Sequence, residues 1–95
     1  MQFLFFLGLC SDCIKQSVLT PQLIKLELSA VKALLASGKI RDAWNRADVV
    51  GIVVLFDGLT EVECRSVVSG LPFSIAEILE IEKVVPIKPF LEAYP

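Results

Sequence analysis

The chain has 95 residues, of which 55% are hydrophobic and 21% are charged, and its formal net charge is −2. This length predicts a single domain over residues 1–95, with one small core. The lysines and arginines form no cluster beside aromatic residues, which argues against nucleic-acid binding. The longest apolar runs reach eight residues. A membrane span needs about 20, so no membrane partner is predicted.

Hydrophobic periodicity and turn residues divide the chain into four strands and two helices. Thr20 followed by Pro21 is typical of a helix start, and Gly38 is typical of a helix end. Thr60 and Glu63 form a capping-box pattern at the second helix. In chain order, the predicted elements are strand Gln2–Leu9, helix Pro21–Ser37, strand 39–46, strand Gly51–Asp57, helix Glu61–Ser69 and strand 78–85.

The element order β-α-β-β-α-β predicts an α+β, ferredoxin-like fold, with a four-stranded antiparallel sheet and two helices on one face. Strand Gly51–Asp57 is apolar on both faces, whereas an antiparallel strand with one wet face alternates apolar and polar residues. Because a chain of 95 residues has little left to cover the second face, we predict a homodimer, with higher oligomers also open. Pro72 is expected to stop regular structure after the second helix, and Pro86 is expected to end the last strand.

The first helix carries a carboxylate beside its apolar stripe. Its predicted core-facing residues are Ile24, Leu28, Val31 and Leu35, with Leu34 at the edge of the stripe. Glu27 lies about 40° from Val31 around the helix axis. Burying a carboxylate without partners is unfavourable, so Glu27 either extends to the solvent at the edge, pairs with a nearby cation or lines a cavity. In a cavity its pKa rises toward the range of a general base.

Two strands carry polar side chains that admit two interpretations. On the second strand, Trp44 and Arg46 share one face and Arg41 lies on the other. These residues either prevent an edge strand from pairing with another chain, or form a cavity wall in which an arginine binds a substrate carboxylate. Glu80 and Glu82 share one face of the last strand, as an acid–base pair or as a solvated surface.

Cysteine and histidine usage limits the possible chemistry. Cys10 and Cys13 form a C-x-x-C pattern after the first strand, which fits a thiol redox motif or two unrelated loop cysteines. The chain has no histidine and no Gly-rich phosphate loop, so we predict neither a metal site nor a cofactor. Three cysteines and the lack of a signal-peptide pattern around the first apolar run predict a cytoplasmic protein with reduced thiols.

Residues 38–44 (GKIRDAW), the strand ending in Phe56-Asp57, the LPF sequence at 71–73, the acidic-apolar last strand and the proline-rich tail occur in a characteristic order. Over residues 20–90 this order resembles muconolactone Δ-isomerase and its relatives. The resemblance implies a dimeric α/β barrel, in which two four-stranded sheets pack face to face. It also implies cofactor-free isomerisation or cyclisation of a lactone, enone or polyketide-like acid.

The resemblance assigns roles to individual positions. Glu27 falls where the family carries a glutamate in the first helix, and is the candidate catalytic base. Trp44 and Glu80 also match family positions, and Arg41 or Arg46 is expected to hold a substrate carboxylate. The isomerase has histidines and polar aromatics where this chain has Arg41-Asp42 and Val49-Val50, which implies a more apolar pocket. The alternative function is a non-catalytic subunit that binds a small ligand or is purely structural.

Overall fold

A computed structural model describes residues 1–10 and 19–90 of the chain. Four strands form one antiparallel sheet in the order β2-β3-β1-β4. The elements are β1 (Gln2–Leu9), α1 (Pro21–Ser37), β2 (Ile40–Asn45), β3 (Gly51–Asp57), α2 (Glu61–Ser69), α3 (Pro72–Ile75) and β4 (Leu79–Ile87). This architecture confirms the predicted α+β, ferredoxin-like fold. Within the described ranges, no helix combines the length and the hydropathy needed to cross a membrane.

The two long helices begin and end where their capping residues predict. Thr20 Oγ1 accepts a hydrogen bond from Leu23 N–H at 3.2 Å, and Gly38 ends α1 with a φ of 81°. That left-handed conformation suits glycine, which has no Cβ to clash with the backbone. At α2, Thr60 Oγ1 accepts from Glu63 N–H at 3.2 Å, while Glu63 Oε1 accepts from Thr60 N–H at 3.0 Å. The predicted capping box is therefore confirmed.

The core lies between one face of the sheet and the helices. Phe5 and Phe56 meet edge to face in its centre, with ring centroids 5.2 Å apart. The fully buried large side chains are Phe5, Phe56, Leu7, Ile40, Leu71, Val54 and Cys64. Strand residues that alternate with this set point to the opposite face. Leu4, Phe6, Val53 and Leu55 are therefore only half-buried, as the doubly apolar β3 predicted.

The predicted core-facing stripe of α1 is wrong in part. Val31 and Leu34 pack against the core, and Glu27 is the buried residue of the helix. The predicted stripe residues that remain more than a third exposed are Ile24, Leu28 and Leu35. A cleft separates this part of α1 from the sheet, and Ile24 and Leu28 border it. The helix therefore presents its Glu27–Val31–Leu34 side to the core.

Two prolines act differently from the prediction. Pro72 does not stop regular structure but begins the short helix α3. Its fixed φ and missing N–H suit the first position of a helix. Pro86 lies within β4, opposite Phe3, and the strand continues to Ile87. Because β4 is an edge strand, a residue without an N–H is tolerated there.

Candidate active site

A cleft opens between α1 and the end of the sheet where β1 finishes and β3 begins. Its volume is about 500 Å³, within the range of small-molecule sites. Apolar residues from α1, from the β2–β3 loop and from the strand ends form most of its wall: Ile24, Leu28, Val49, Val50, Ile52 and Leu79. Val49 and Val50 are 47% and 58% exposed, so the mouth of the cleft is apolar as well.

Glu27 is the buried carboxylate of this cleft. Glu27 is only 6% exposed to solvent. One carboxylate oxygen accepts a hydrogen bond from the backbone N–H of Phe73 at 3.0 Å. Burial raises the pKa of Glu27 above the ordinary glutamate value, while the Phe73 hydrogen bond opposes that rise. Burial is the larger effect, so the carboxyl group is more basic than a solvated glutamate.

The short helix α3 fixes the donor that meets Glu27. Leu71, which is 2% exposed, anchors the chain in the core just before α3. Ser74 Oγ donates a hydrogen bond to the carbonyl oxygen of Val68 at 2.6 Å, which ties α3 to α2. Phe73 lies between these two anchors, so its N–H is held in place against Glu27. The position of the carboxylate therefore depends on three separate segments of the chain.

Arg46 borders the same cleft, but its charged group is already paired. The side chain is 10% exposed, and its Nη2 lies 2.7 Å from Asp48 Oδ2 and its Nη1 lies 3.0 Å from Glu82 Oε1. These two carboxylates raise the pKa of Arg46. The Nη1–Glu82 contact is electrostatic, because Nη1 has no well-aligned hydrogen-bond acceptor among the described residues.

The contacts at Gly8 show that the Arg46–Glu82 ion pair lies on the face of the sheet that the helices do not cover. A Cβ placed on Gly8 would overlap the Glu82 carboxylate and would lie 3.6 Å from Arg46 Nη1. Gly8 follows the helix-facing Leu7, so its own Cβ direction is toward the opposite face. The absence of a side chain at Gly8 lets Arg46 and Glu82 meet across β3 and β1. The guanidinium group therefore lies away from Glu27.

The structure brings some of the predicted site residues together and separates others. Glu27, Trp44 and Arg46 border the cleft. Arg41 lies at the opposite end of the sheet, where it pairs with Asp57, because it is at the start of β2 and the cleft is at its end. Arg41 therefore lies away from Glu27, and its position does not fit the predicted role of holding a substrate carboxylate in the cleft. Glu80 is exposed on β4, opposite Gly8, and does not border the cleft.

Sequence reasoning missed the contribution of Phe73 and did not place Asn45 in the site. The N–H of Phe73 reaches Glu27 across 46 positions of sequence, and no local pattern reports such a contact. Asn45 borders the cleft at the end of β2. Of the C-x-x-C pattern, Cys10 is half-buried beside Ile78, whereas Cys13 lies outside the described residues. Within residues 1–10 and 19–90, no three Cys, Asp or Glu side chains are grouped to hold a metal ion.

Comparison with known proteins identifies the fold. No family model and no curated protein matches the chain. Among solved structures, it is similar to 5-chloro-2-hydroxyhydroquinone dehydrochlorinase from Burkholderia phenoliruptrix AC1100 in complex with 2,5-dihydroxybenzoquinone. The TM-score is 0.73 at 18% sequence identity, and the match covers 97% of this chain and 98% of that chain. At this identity the likeness establishes a shared ferredoxin-like α/β fold.

Proposed function

We propose that the protein is a muconolactone isomerase-like enzyme that moves a proton on a small cyclic carbonyl compound without a cofactor, with Glu27 as the general base. The observation that carries this proposal is a carboxylate that is 6% exposed, at the wall of an apolar cleft. A base of raised pKa near a bound substrate suits proton abstraction next to a carbonyl. Trp44 and Asn45 border the cleft. Asn45 pairs with Ile52 on the helix side of the sheet. Trp44 pairs with Val53 and shares the open face with Arg46.

The proposed reaction is a double-bond shift in an unsaturated lactone or enone. The Glu27 carboxylate removes a proton from the carbon between the carbonyl and the double bond. The electron pair left behind delocalises onto the carbonyl oxygen, which forms a dienolate. Glu27, now protonated, returns the proton to the far carbon of the conjugated system. The double bond moves, no atom is gained or lost, and no electrons are exchanged with a second reactant.

The fold comparison supports a small-molecule enzyme in a general way. The similar solved protein is an enzyme, and its structure contains 2,5-dihydroxybenzoquinone, a flat ring that bears carbonyl oxygens. A compound of that size fits a cleft of about 500 Å³. The proposed isomerisation has no leaving group, whereas dehydrochlorination removes HCl, but both classes of substrate are small carbonyl or hydroxyl-bearing rings.

Conversion of α-angelica lactone to its conjugated isomer, followed by NMR, tests the proposal. The wild-type protein is expected to accelerate this reaction, and Glu27→Gln is expected to lower turnover by about 100-fold, the usual contribution of a general base. Glu80→Gln is the matched control, because it makes the same change at an exposed carboxylate outside the cleft. Equal rates for wild type and Glu27→Gln would reject the catalytic role. Binding of the lactone without turnover would favour the non-catalytic alternative.

We also propose that the protein is a homodimer. The half-buried apolar side chains on the open face of the sheet, Leu4, Phe6, Val53 and Leu55, support a second sheet packing against the first. The resemblance to dimeric α/β barrels points to the same arrangement. Sedimentation equilibrium at micromolar concentration distinguishes the dimer from a stable monomer.

A further inference from the structure

The charges around the cleft are unevenly balanced. Among the described residues that border it, the charged ones are Glu27 and Arg46. Glu27 contributes a carboxylate to the cleft, whereas Arg46 is held by the two carboxylates of Asp48 and Glu82. The cluster of Arg46 with its two partners carries a formal charge of −1, from one cation and two anions. No unpaired cation therefore borders the described part of the cleft.

The guanidinium group of Arg46 is also on the wrong side of the sheet to meet a ligand beside Glu27. It lies next to the space above Gly8, on the face opposite to the helices. Glu27 reaches the cleft from α1 and hydrogen-bonds to Phe73 on the helix side. Arg41, the other arginine expected to bind a carboxylate, is at the far end of the sheet and is paired with Asp57.

We propose that the cleft selects uncharged substrates, such as neutral lactones, enones or esters, and discriminates against those that carry a carboxylate. This inference rests on the proposed function of the same site, and replaces the organic acid expected from the sequence. A substrate carboxylate would lose its hydration in an apolar cleft without gaining a cationic partner from residues 1–10 and 19–90. It would also approach the carboxylate of Glu27, and like charges brought together in a desolvated site repel each other.

The discriminating experiment compares two probes that differ by one charge. Isothermal titration calorimetry at neutral pH measures the binding of muconolactone, which carries a carboxylate, and of its methyl ester. We expect the ester to bind about tenfold or more tightly than the acid. Equal or tighter binding of the acid would overturn the inference while leaving the small-molecule function intact. Failure of both probes to bind would reject the proposed small-molecule site and the inference with it.

A charge added at the mouth of the cleft provides a second test. Val49 is 47% exposed and borders the cleft, so Val49→Lys places an unpaired cation there without disturbing the core. We expect this variant to raise the affinity for the acid relative to the ester by about fivefold or more. Val49→Met is the matched control, because it extends the side chain without charge, and it should leave that ratio unchanged. An unchanged ratio in Val49→Lys would contradict the inference.

Discussion

Glu27 in α1 and Glu63 in α2 make the same kind of contact, but their pKa values shift in opposite directions. Each carboxylate accepts a hydrogen bond from a backbone N–H at 3.0 Å, Glu27 from Phe73 and Glu63 from Thr60. The pKa of Glu63 is lowered by its hydrogen bonds to Thr60. The pKa of Glu27 is raised, because burial outweighs the bond to Phe73. The surroundings of a carboxylate therefore decide the direction of its pKa shift when the hydrogen bond is the same.

The surroundings of Glu63 suit a structural role, whereas those of Glu27 suit the proposed functional one. Glu63 is exposed in the first turn of α2, where a negative charge is stabilised by the helix dipole and by free N–H groups. It is well suited to remain ionised and to cap its helix. Glu27 borders a cleft that can hold a small molecule, and its raised pKa makes it a better proton acceptor. The same side chain serves as a cap in one place and is proposed as a base in the other.

Among the tests of the difference between Glu27 and Glu63, alanine substitutions should have the largest effect on stability. Glu27→Ala removes the acceptor of the Phe73 N–H in a partly buried position, and an unsatisfied buried donor costs about 1 to 3 kcal/mol of unfolding free energy. Glu63→Ala should cost less, because water can replace the lost acceptor at the exposed Thr60 N–H. Urea denaturation of both variants measures the difference. A larger loss for Glu63→Ala would show that the Phe73 contact is not buried from solvent.

The pH dependence of folding stability should show the same difference between Glu27 and Glu63, with a smaller effect than the alanine substitutions. A raised folded-state pKa means that the folded protein holds its Glu27 proton more tightly than the unfolded chain does. The stability from Glu27 is therefore fully present below the ordinary glutamate pKa, and is lost as pH rises through the raised value. Glu27→Gln removes that loss and keeps an oxygen to accept the Phe73 N–H. Its stability relative to wild type should thus increase with pH over this window.

Glu63→Gln is the matched control for the pH series, and its trend should have the opposite sign. The lowered pKa of Glu63 adds stability above the ordinary glutamate pKa, and that stability is lost as pH falls through the lowered value. Glu63→Gln should therefore be less stable than wild type at neutral pH and should approach it in acid. Thermal unfolding from pH 3 to pH 8 records both trends. Parallel curves for the two variants would contradict the assignment of opposite pKa shifts.

Local patterns in the sequence predicted much of the fold. The bounds of β1, β3 and both long helices follow from apolar runs, from Thr20 and Thr60, and from Gly38, which act over a few residues. The burial of Glu27 could also be predicted, because its place beside Val31 depends only on helical periodicity. The stripe of α1 was predicted in part, since the sequence does not show that a cleft leaves Leu28 exposed.

The details of the site depend on contacts between distant segments. The Arg46–Glu82 pair requires all four strands to align, because β3 and β1 lie between the end of β2 and β4. The pairing of β1 with β4 shifts register between Phe6 and Leu7, which no local pattern reveals. The contact of Phe73 with Glu27 joins α3 to α1 in the same non-local way. Residue types therefore identified the candidate base, whereas strand register placed both Arg41 and Arg46 away from it.

The most direct test of a basic Glu27 is a titration of its side-chain carboxyl carbon by NMR, with Glu63 as an internal reference. Spectra of the labelled protein from acid to neutral pH, assigned with Glu27→Gln and Glu63→Gln, give both pKa values in one sample. We predict that Glu27 titrates above the ordinary glutamate value and Glu63 below it, because burial dominates at one site and hydrogen bonding at the other. A pKa of Glu27 at or below that of Glu63 would contradict the proposal that the cleft holds a general base.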